Sequence, residues 1–333
     1  MAKTAVAAID QLLRDSINLD QAVVKRARDS RDWLLRQISG WPEDGAEFPA
    51  LYPQINLHYG SFTRRTKIKE LDDIDLMIGL KGLGTTYTTE PDGTVKLKVP
   101  EEIALRRLCH DGTDELNSRR VINEFVARLK EIPQYQKAEI KRNEVAAVLS
   151  LSSYPWAFDI VPSFITATEL DGRTYYVIPN GKGHWMKTDP RIDNERVESI
   201  NARYAGHLWN VIRLTKFWNQ RPSVKTVPPY LLECLVLDLY DQSSYQVTAR
   251  PESEVARVLR QISHSILTDV ADPKGIQQNI NKLNWEDRTA VSAKASSHAA
   301  SAAAALDAQA RGEERAAINH WKDVFGTDLP AFG

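Results

Sequence analysis

Gly60-Ser61-Phe62-Thr63-Arg64-Arg65-Thr66 closes a short apolar run in a small turn, and Leu71-Asp72-Asp73-Ile74-Asp75-Leu76-Met77-Ile78 follows it with acids alternating with aliphatics. On a strand, side chains at i and i+2 share a face, with Cα atoms roughly 6.5–7 Å apart. Asp73 and Asp75 then project together, while Ile74, Leu76 and Ile78 point into a core. Two neighbouring carboxylates repel, and a divalent cation is the usual compensation; Mg²⁺ favours one or two carboxylates plus substrate phosphates. The stretch has the character of half a metal-dependent phosphoryl-transfer site. An isolated D-x-D is equally what an acidic turn entering an ordinary strand looks like. Gly60-Ser61 upstream and a second acidic strand downstream weigh against that blander account.

The second acidic strand is Trp156-Ala157-Phe158-Asp159-Ile160-Val161-Pro162. Asp159 is an acid inside an apolar run, and an unpaired buried carboxylate costs several kcal/mol or stays protonated. It needs a cation. Either its strand lies beside the Asp73–Asp75 strand and all three carboxylates meet at one metal cluster, or Asp159 pairs with a buried Arg.

Around these two strands, periodicity places the other elements. A helical pattern runs from Leu19 to Ile38, with Gly40 as its stop. Pro42, Gly45, Pro49 and Pro53 mark a loop, and Ile55 to Tyr59 forms a short strand that delivers Gly60 and Ser61 to a turn suited to cradling phosphate. After a strand over Asp73–Leu80, alternating Thr85–Val99 around Pro91-Asp92-Gly93 predicts a surface hairpin. Helices are expected over Glu101–Cys109 and Thr113–Ile132, and strands over Ala138–Lys141, Val145–Leu151 and Tyr175–Ile178. His184, Trp185 and Lys187 either close over a nucleotide or, as the blander and preferred account has it, fall in a solvated loop. Past Pro190 the composition turns helical: Glu195–Trp218, Tyr230–Tyr240, Ser253–Leu267 and Val291–Ala317. The low-complexity run Ala295–Ala310 favours a packed helix over disorder. A mixed core over 1–190 and a helical domain over 191–333 follow.

Composition narrows the function. With 43 basic and 44 acidic residues the formal net charge is −1, which argues against a surface built for long nucleic acids. Cys109 and Cys234 each sit in an apolar-periodic segment, against a disulfide framework or a Cys-ligated zinc. The first apolar run breaks at Asp10, too early for a signal peptide, and no run approaches the 18 or more residues of a membrane span. These features point to a cytosolic protein without a membrane partner.

Gly60-Ser61, Asp73-x-Asp75 and Asp159 together resemble the active-site signature of the polymerase-beta-like nucleotidyltransferases. Within that superfamily the chain resembles the branch of cyclic GMP-AMP synthase, oligoadenylate synthase and the bacterial enzymes that make cyclic oligonucleotides in anti-phage defence. Ile212-Arg213-Leu214-Thr215-Lys216-Phe217-Trp218 is similar to the helix whose lysine holds the triphosphate. Pro228-Pro229-Tyr230 resembles the position of a base-stacking aromatic. Leu267-Thr268-Asp269-Val270-Ala271-Asp272-Pro273 with Asn279, and Trp321-Lys322-Asp323-Val324-Phe325-Gly326, resemble segments of the helical half. Arg65 departs from the pattern, standing where some relatives have a second glycine.

The resemblance implies an α+β nucleotidyltransferase core with a long spine helix and a C-terminal helical bundle. It implies Asp73, Asp75 and Asp159 as catalytic residues holding two Mg²⁺ ions, with Mn²⁺ as a substitute. It further implies nucleotide contacts from Gly60, Ser61, Lys216 and Tyr230. NTP substrates with ATP among them, release of pyrophosphate, a cyclic di- or trinucleotide product, a regulatory protein partner and a downstream effector that binds the product belong to the same set of expectations. Linear oligonucleotide synthesis, or transfer to a tRNA or small-molecule acceptor, uses the same triad. A rival of another class is an inactive nucleotide- or RNA-binding module on the same fold, against which three intact acids speak.

Overall fold

The computed structural model describes residues 1–41, 48–241 and 248–333. Pro42 and Gly45, two of the expected loop markers, lie outside the described residues. The chain divides into two compact units, one of Gln21–Thr63 and Leu71–Arg191, the other of Met1–Asp20, Arg64–Glu70 and Ile192–Gly333. The helices of the first part are α1 (Ala5–Leu12), α2 (Gln21–Ser39), the single turn α3 (Gly60–Thr63), α4 (Ser118–Glu131) and α5 (Pro190–Arg203). Those that follow are α6 (Leu208–Asn219), α7 (Pro229–Asp241), α8 (Glu252–Ser265), α9 (Trp285–Ala310) and α10 (Glu314–Phe325).

The first unit is built on a mixed sheet. Its strands are β1 (Leu57–Tyr59), β2 (Asp73–Gly79), β3 (Thr86–Thr89), β4 (Thr94–Lys98), β5 (Glu139–Asn143), β6 (Ala146–Ser150), β7 (Ala157–Ile165), β8 (Tyr176–Pro179) and β9 (Trp185–Thr188). The order is β1-β2-β7-β8-β9-β4-β3, with β6 also on β7 and β5 on β6. β2 and β7 run parallel. The register fixes two faces. Ile74, Phe158, Leu149 and Ile140 lie in one row across β2, β7, β6 and β5, and all four are buried. Helix α4 packs on this part of the sheet with Val121, Ile122, Phe125 and Leu129 inward. Burying side chains of this size contributes about 1.5–3 kcal/mol each.

Several boundaries differ from the periodicity, each for a local reason. Glu101–Cys109 forms only a 3₁₀ turn over Ala104–Leu108. The chain there is tied at both ends, by Val99 N–H donating to Asp114 O and by a bridge between Cys109 and Leu116. α4 begins at Ser118 because Asn117 caps it, its side chain accepting from the N–H groups of Arg119 and Arg120. The 85–99 hairpin is the edge of the sheet, since β4 pairs with β9, and Trp185 and Lys187 lie on β9 instead of in a solvated loop.

The second unit is helical, with one large apolar core drawing on α1 and on α5 through α10. The 195–218 pattern is split into α5 and α6 at Ala205 and Gly206, both with positive φ (52° and 86°). The 291–317 pattern is split into α9 and α10 at Gly312, φ 75°. Both breaks use the left-handed region that glycine adopts without strain. In α9 the alanines at 295, 299, 302, 305 and 308 form a buried stripe, and the helix packs on α8 and α10. The alanine-rich run is thus a packed helix. α1 escaped the periodicity; Ala5, Ala8, Ile9 and Leu12 place it in the helical core, as Ile68 places Arg64–Glu70. No helix among the described residues is long and apolar enough to cross a membrane.

Candidate active site

β2 alternates as its sequence requires. Ile74 and Leu76 are buried, and Asp73 and Asp75 are half-buried on the opposite face. The parallel register sets Asp75 opposite Asp159 and Asp73 opposite Ala157. Neighbouring strands are about 4.8 Å apart, so three carboxylates share one patch of one sheet face. Asp72 is exposed ahead of the strand and contributes its carbonyl, which accepts from the Ala157 N–H.

Burial, then the charge of Asp73 and Asp72, raises the Asp159 carboxyl above its ordinary value. Tyr59, opposite Asp75 on β1, completes the row. Its hydroxyl is pushed well above the usual phenol range by burial and by the charges of Asp75, Asp159 and Asp73. Tyr59 therefore stays neutral beside the acids. Sequence reasoning missed it, although its place in the Ile55–Tyr59 alternation puts it at the end of the strand that delivers Gly60.

Gly60 is fixed by two constraints. Its φ is +76°, and an added Cβ would lie 1.8 Å from Asp75 Oδ2. The backbone of this turn thus abuts the carboxylate, which only glycine permits. Ser61 is half-buried inside α3. Among the described residues no group of three or more His, Cys, Asp or Glu is placed to hold a metal ion by itself. Mg²⁺ takes few carboxylates and fills its shell with water and substrate phosphate, so the three acids would fit it only together with a bound triphosphate.

Lys216 and Tyr230 lie in the helical unit. Lys216 is 8% exposed and donates to Glu233 Oε2 at 2.7 Å and to Thr66 Oγ1 at 3.1 Å. Arg64 Nε donates to Glu233 Oε1 at 2.6 Å, and Thr66 Oγ1 donates to Glu233 Oε2 at 2.8 Å. Burial opposes ionisation of Glu233, but Lys216 and Arg64 outweigh it and hold the carboxyl down at about 2. The buried carboxylate thus faces Arg64 and Lys216, whose amine burial pulls below its ordinary value against the raising charge of Glu233. The lysine is not the solvated helix residue that its position alone permits. Tyr230 donates from its hydroxyl to Asp193 Oδ1 at 2.7 Å, and Lys274 Nζ both bonds that hydroxyl and lies 4.0 Å from the ring centroid. Glu233, Thr66, Arg64, Asp193 and Lys274 carried no sequence signal, because their partners are distant in the chain. Arg65 is exposed, and its guanidinium stacks 4.9 Å from the Trp209 ring. Asn279 braces the Asp-Pro segment, accepting from Val270 N–H and donating to Asp269.

A probable cyclic nucleotide synthase of Bacillus cereus strain VD146 is 42% identical to this chain over 334 residues, covering 99% of each. The chain belongs to the bacterial cyclic nucleotide synthases. It is a nucleotidyltransferase. Solved structures place the fold in the same class. Escherichia coli MS115-1 CdnC, solved with ATP, matches with a TM-score of 0.70 and 16% identity, covering 97% of this chain and 98% of that one. CdnC in its complex with HORMA-deltaN gives 0.69 at 16% identity, with the same coverage. Vibrio cholerae DncV, a cyclic AMP-GMP synthase and prokaryotic cGAS homolog, gives 0.58 at 14% identity, covering 98% of this chain and 81% of that one. No family model matches the chain.

Proposed function

We propose that the chain condenses NTPs, ATP among them, into a cyclic di- or trinucleotide second messenger for anti-phage signalling, with release of pyrophosphate. The observation that carries this reading is the register of β2 on β7, which puts Asp75 opposite Asp159 with Asp73 on the same face. The name of the 42% identical relative supports a cyclic product. CdnC's complex with HORMA-deltaN supports a regulatory protein partner, and a downstream effector that binds the product completes the pathway.

Asp73, Asp75 and Asp159 would hold two Mg²⁺ ions, which Mn²⁺ can replace; such ions neutralise phosphate charge and activate the attacking hydroxyl. The remaining roles belong to the chain's own residues. The Asp159 carboxylate accepts the proton of the attacking ribose hydroxyl. The Gly60-Ser61 turn offers backbone N–H groups and a hydroxyl to the phosphates. Of the three N–H donors of Lys216, Glu233 and Thr66 take two; the third is left for a β- or γ-phosphate oxygen. Tyr230, with its hydroxyl anchored, presents its ring to a base.

The test is incubation of the purified protein with all four NTPs and Mg²⁺ or Mn²⁺, followed by mass spectrometry. A cyclic product is expected. Linear oligonucleotides alone would move the reading to the related chemistry, and absence of pyrophosphate release in every mixture would overturn it.

A further inference from the structure

Behind the carboxylate face, the sheet unit holds a cavity of about 600 Å³ between α2, the Pro133–Tyr135 turn and the segment leading into β7. Its size lies within the usual range for a small-molecule site. Two aromatic walls border it. Trp33 packs edge-on to Tyr135, centroids 5.4 Å apart, and Tyr154 stacks on Trp156 at 4.6 Å. Trp33 and Tyr154 remain half-exposed where they line the cavity.

Charge at the cavity is positive. Arg26, on the cavity wall, holds its guanidinium 5.7 Å from the Trp156 ring and 6.0 Å from Tyr154. Arg36 lines it ten residues further along the same helix. The one carboxylate of the lining, Asp29, is bonded by Lys25 at 2.6 Å. Gln134 and Ser30 add neutral hydrogen-bonding groups. Flat aromatic faces, guanidiniums that match planar oxyanions, and amide and hydroxyl groups for a ring edge occur here within one cavity.

We infer that this cavity is a second ligand site, distinct from the carboxylate site, for a planar aromatic ring carrying an anionic group, the chemistry of a mononucleotide. The ring stacks against Trp33 and Tyr154, and the phosphate is held by Arg26 and Arg36. The inference has a consequence for the triad. Phe158 forms part of the cavity, and its chain neighbour Asp159 projects from the opposite face of β7. A ligand in the cavity therefore lies against the strand that carries the third carboxylate, with Phe158 itself buried beneath it.

The probes are AMP and GMP, titrated by equilibrium dialysis in the presence of EDTA, so that metal-dependent binding at the carboxylates is silent. One of them is expected to bind at sub-millimolar concentration. Arg36→Ala is expected to weaken that binding at least tenfold, and Trp33→Ala to quench the tryptophan fluorescence response. The Asp73→Asn, Asp75→Asn double variant is expected to bind the probe unchanged. Arg36 is exposed, so Arg36→Ala leaves packing intact and stays informative should Trp33→Ala fail to fold. Absence of binding by both probes up to roughly millimolar concentration, equal binding by Arg36→Ala, or loss of binding in the double Asp variant each overturns the proposal.

Discussion

At the scale of single residues, the three carboxylates and Gly60 make the sharpest demands. Replacing Asp73 and Asp75 by Asn together is expected to lower synthesis by at least about 10³-fold, because the charge that would hold the cations is gone. Unfolding temperature should stay the same or rise, since like-charge repulsion on one sheet face is relieved. Pyrophosphate release and thermal melting, measured side by side, check both halves of this expectation. Gly60→Ala should reduce activity and cost about 1–3 kcal/mol of stability, as the added Cβ collides with Asp75 Oδ2 in a backbone conformation that L-residues resist. A melting curve for Gly60→Ala that overlays the parent would contradict the close approach. The placement of Asp73, Asp75 and Asp159 on two strands and of Gly60 at a strand's end was legible because their types are unusual in their settings: acids inside apolar runs, and a glycine where a strand ends. Tyr59 was not, since an aromatic in a strand is ordinary until its row partners are known.

At the scale of elements, the Arg64–Glu70 segment, α6 and α7 are joined by the Arg64–Glu233–Lys216 network. Removing one member of a buried ionic group leaves the others uncompensated, at a cost of about 3–5 kcal/mol. Glu233→Gln should therefore destabilise the helical unit in denaturant unfolding. The pH dependence has a definite sign. The Glu233 carboxyl ionises at about 2 in the folded chain against an ordinary 4.5, so its contribution is fully present above 4.5 and is lost as pH falls through 2. A shift of that size corresponds to about 3 kcal/mol. The stability gap between parent and Glu233→Gln should hold from pH 7 down to 4.5 and shrink towards pH 2. Helix α9 makes a different demand. Its buried alanines leave no room, so Ala302→Leu is expected to cost about 1–3 kcal/mol through overpacking. Helix existence was legible in the periodicity of α2, α4 and α8. Helix ends were not always so, because the breaks at Ala205-Gly206 and Gly312 interrupt patterns that continue on both sides.

At the scale of the whole molecule, a formal net charge of −1 leads to the expectation that long nucleic acids are not partners. Added duplex DNA is expected to leave product formation unchanged at low and at physiological salt; stimulation that falls steeply with salt would reveal a basic surface that composition conceals. The sequence by itself determined the two acid-bearing strands and the helical character past Pro190, and its resemblance implied a nucleotidyltransferase. Those depend on residue type and short-range period, which local sequence records. Only the tertiary structure decided that Asp75 and Asp159 are register partners, and that Tyr59 stands beside them. It alone showed that Lys216 is buried and bonded to Glu233, and that Met1–Asp20 and Arg64–Glu70 belong to the helical core. Strand pairing and buried ionic partners join residues far apart in the chain, and their geometry is set by the packing of whole faces, which no local window of sequence contains.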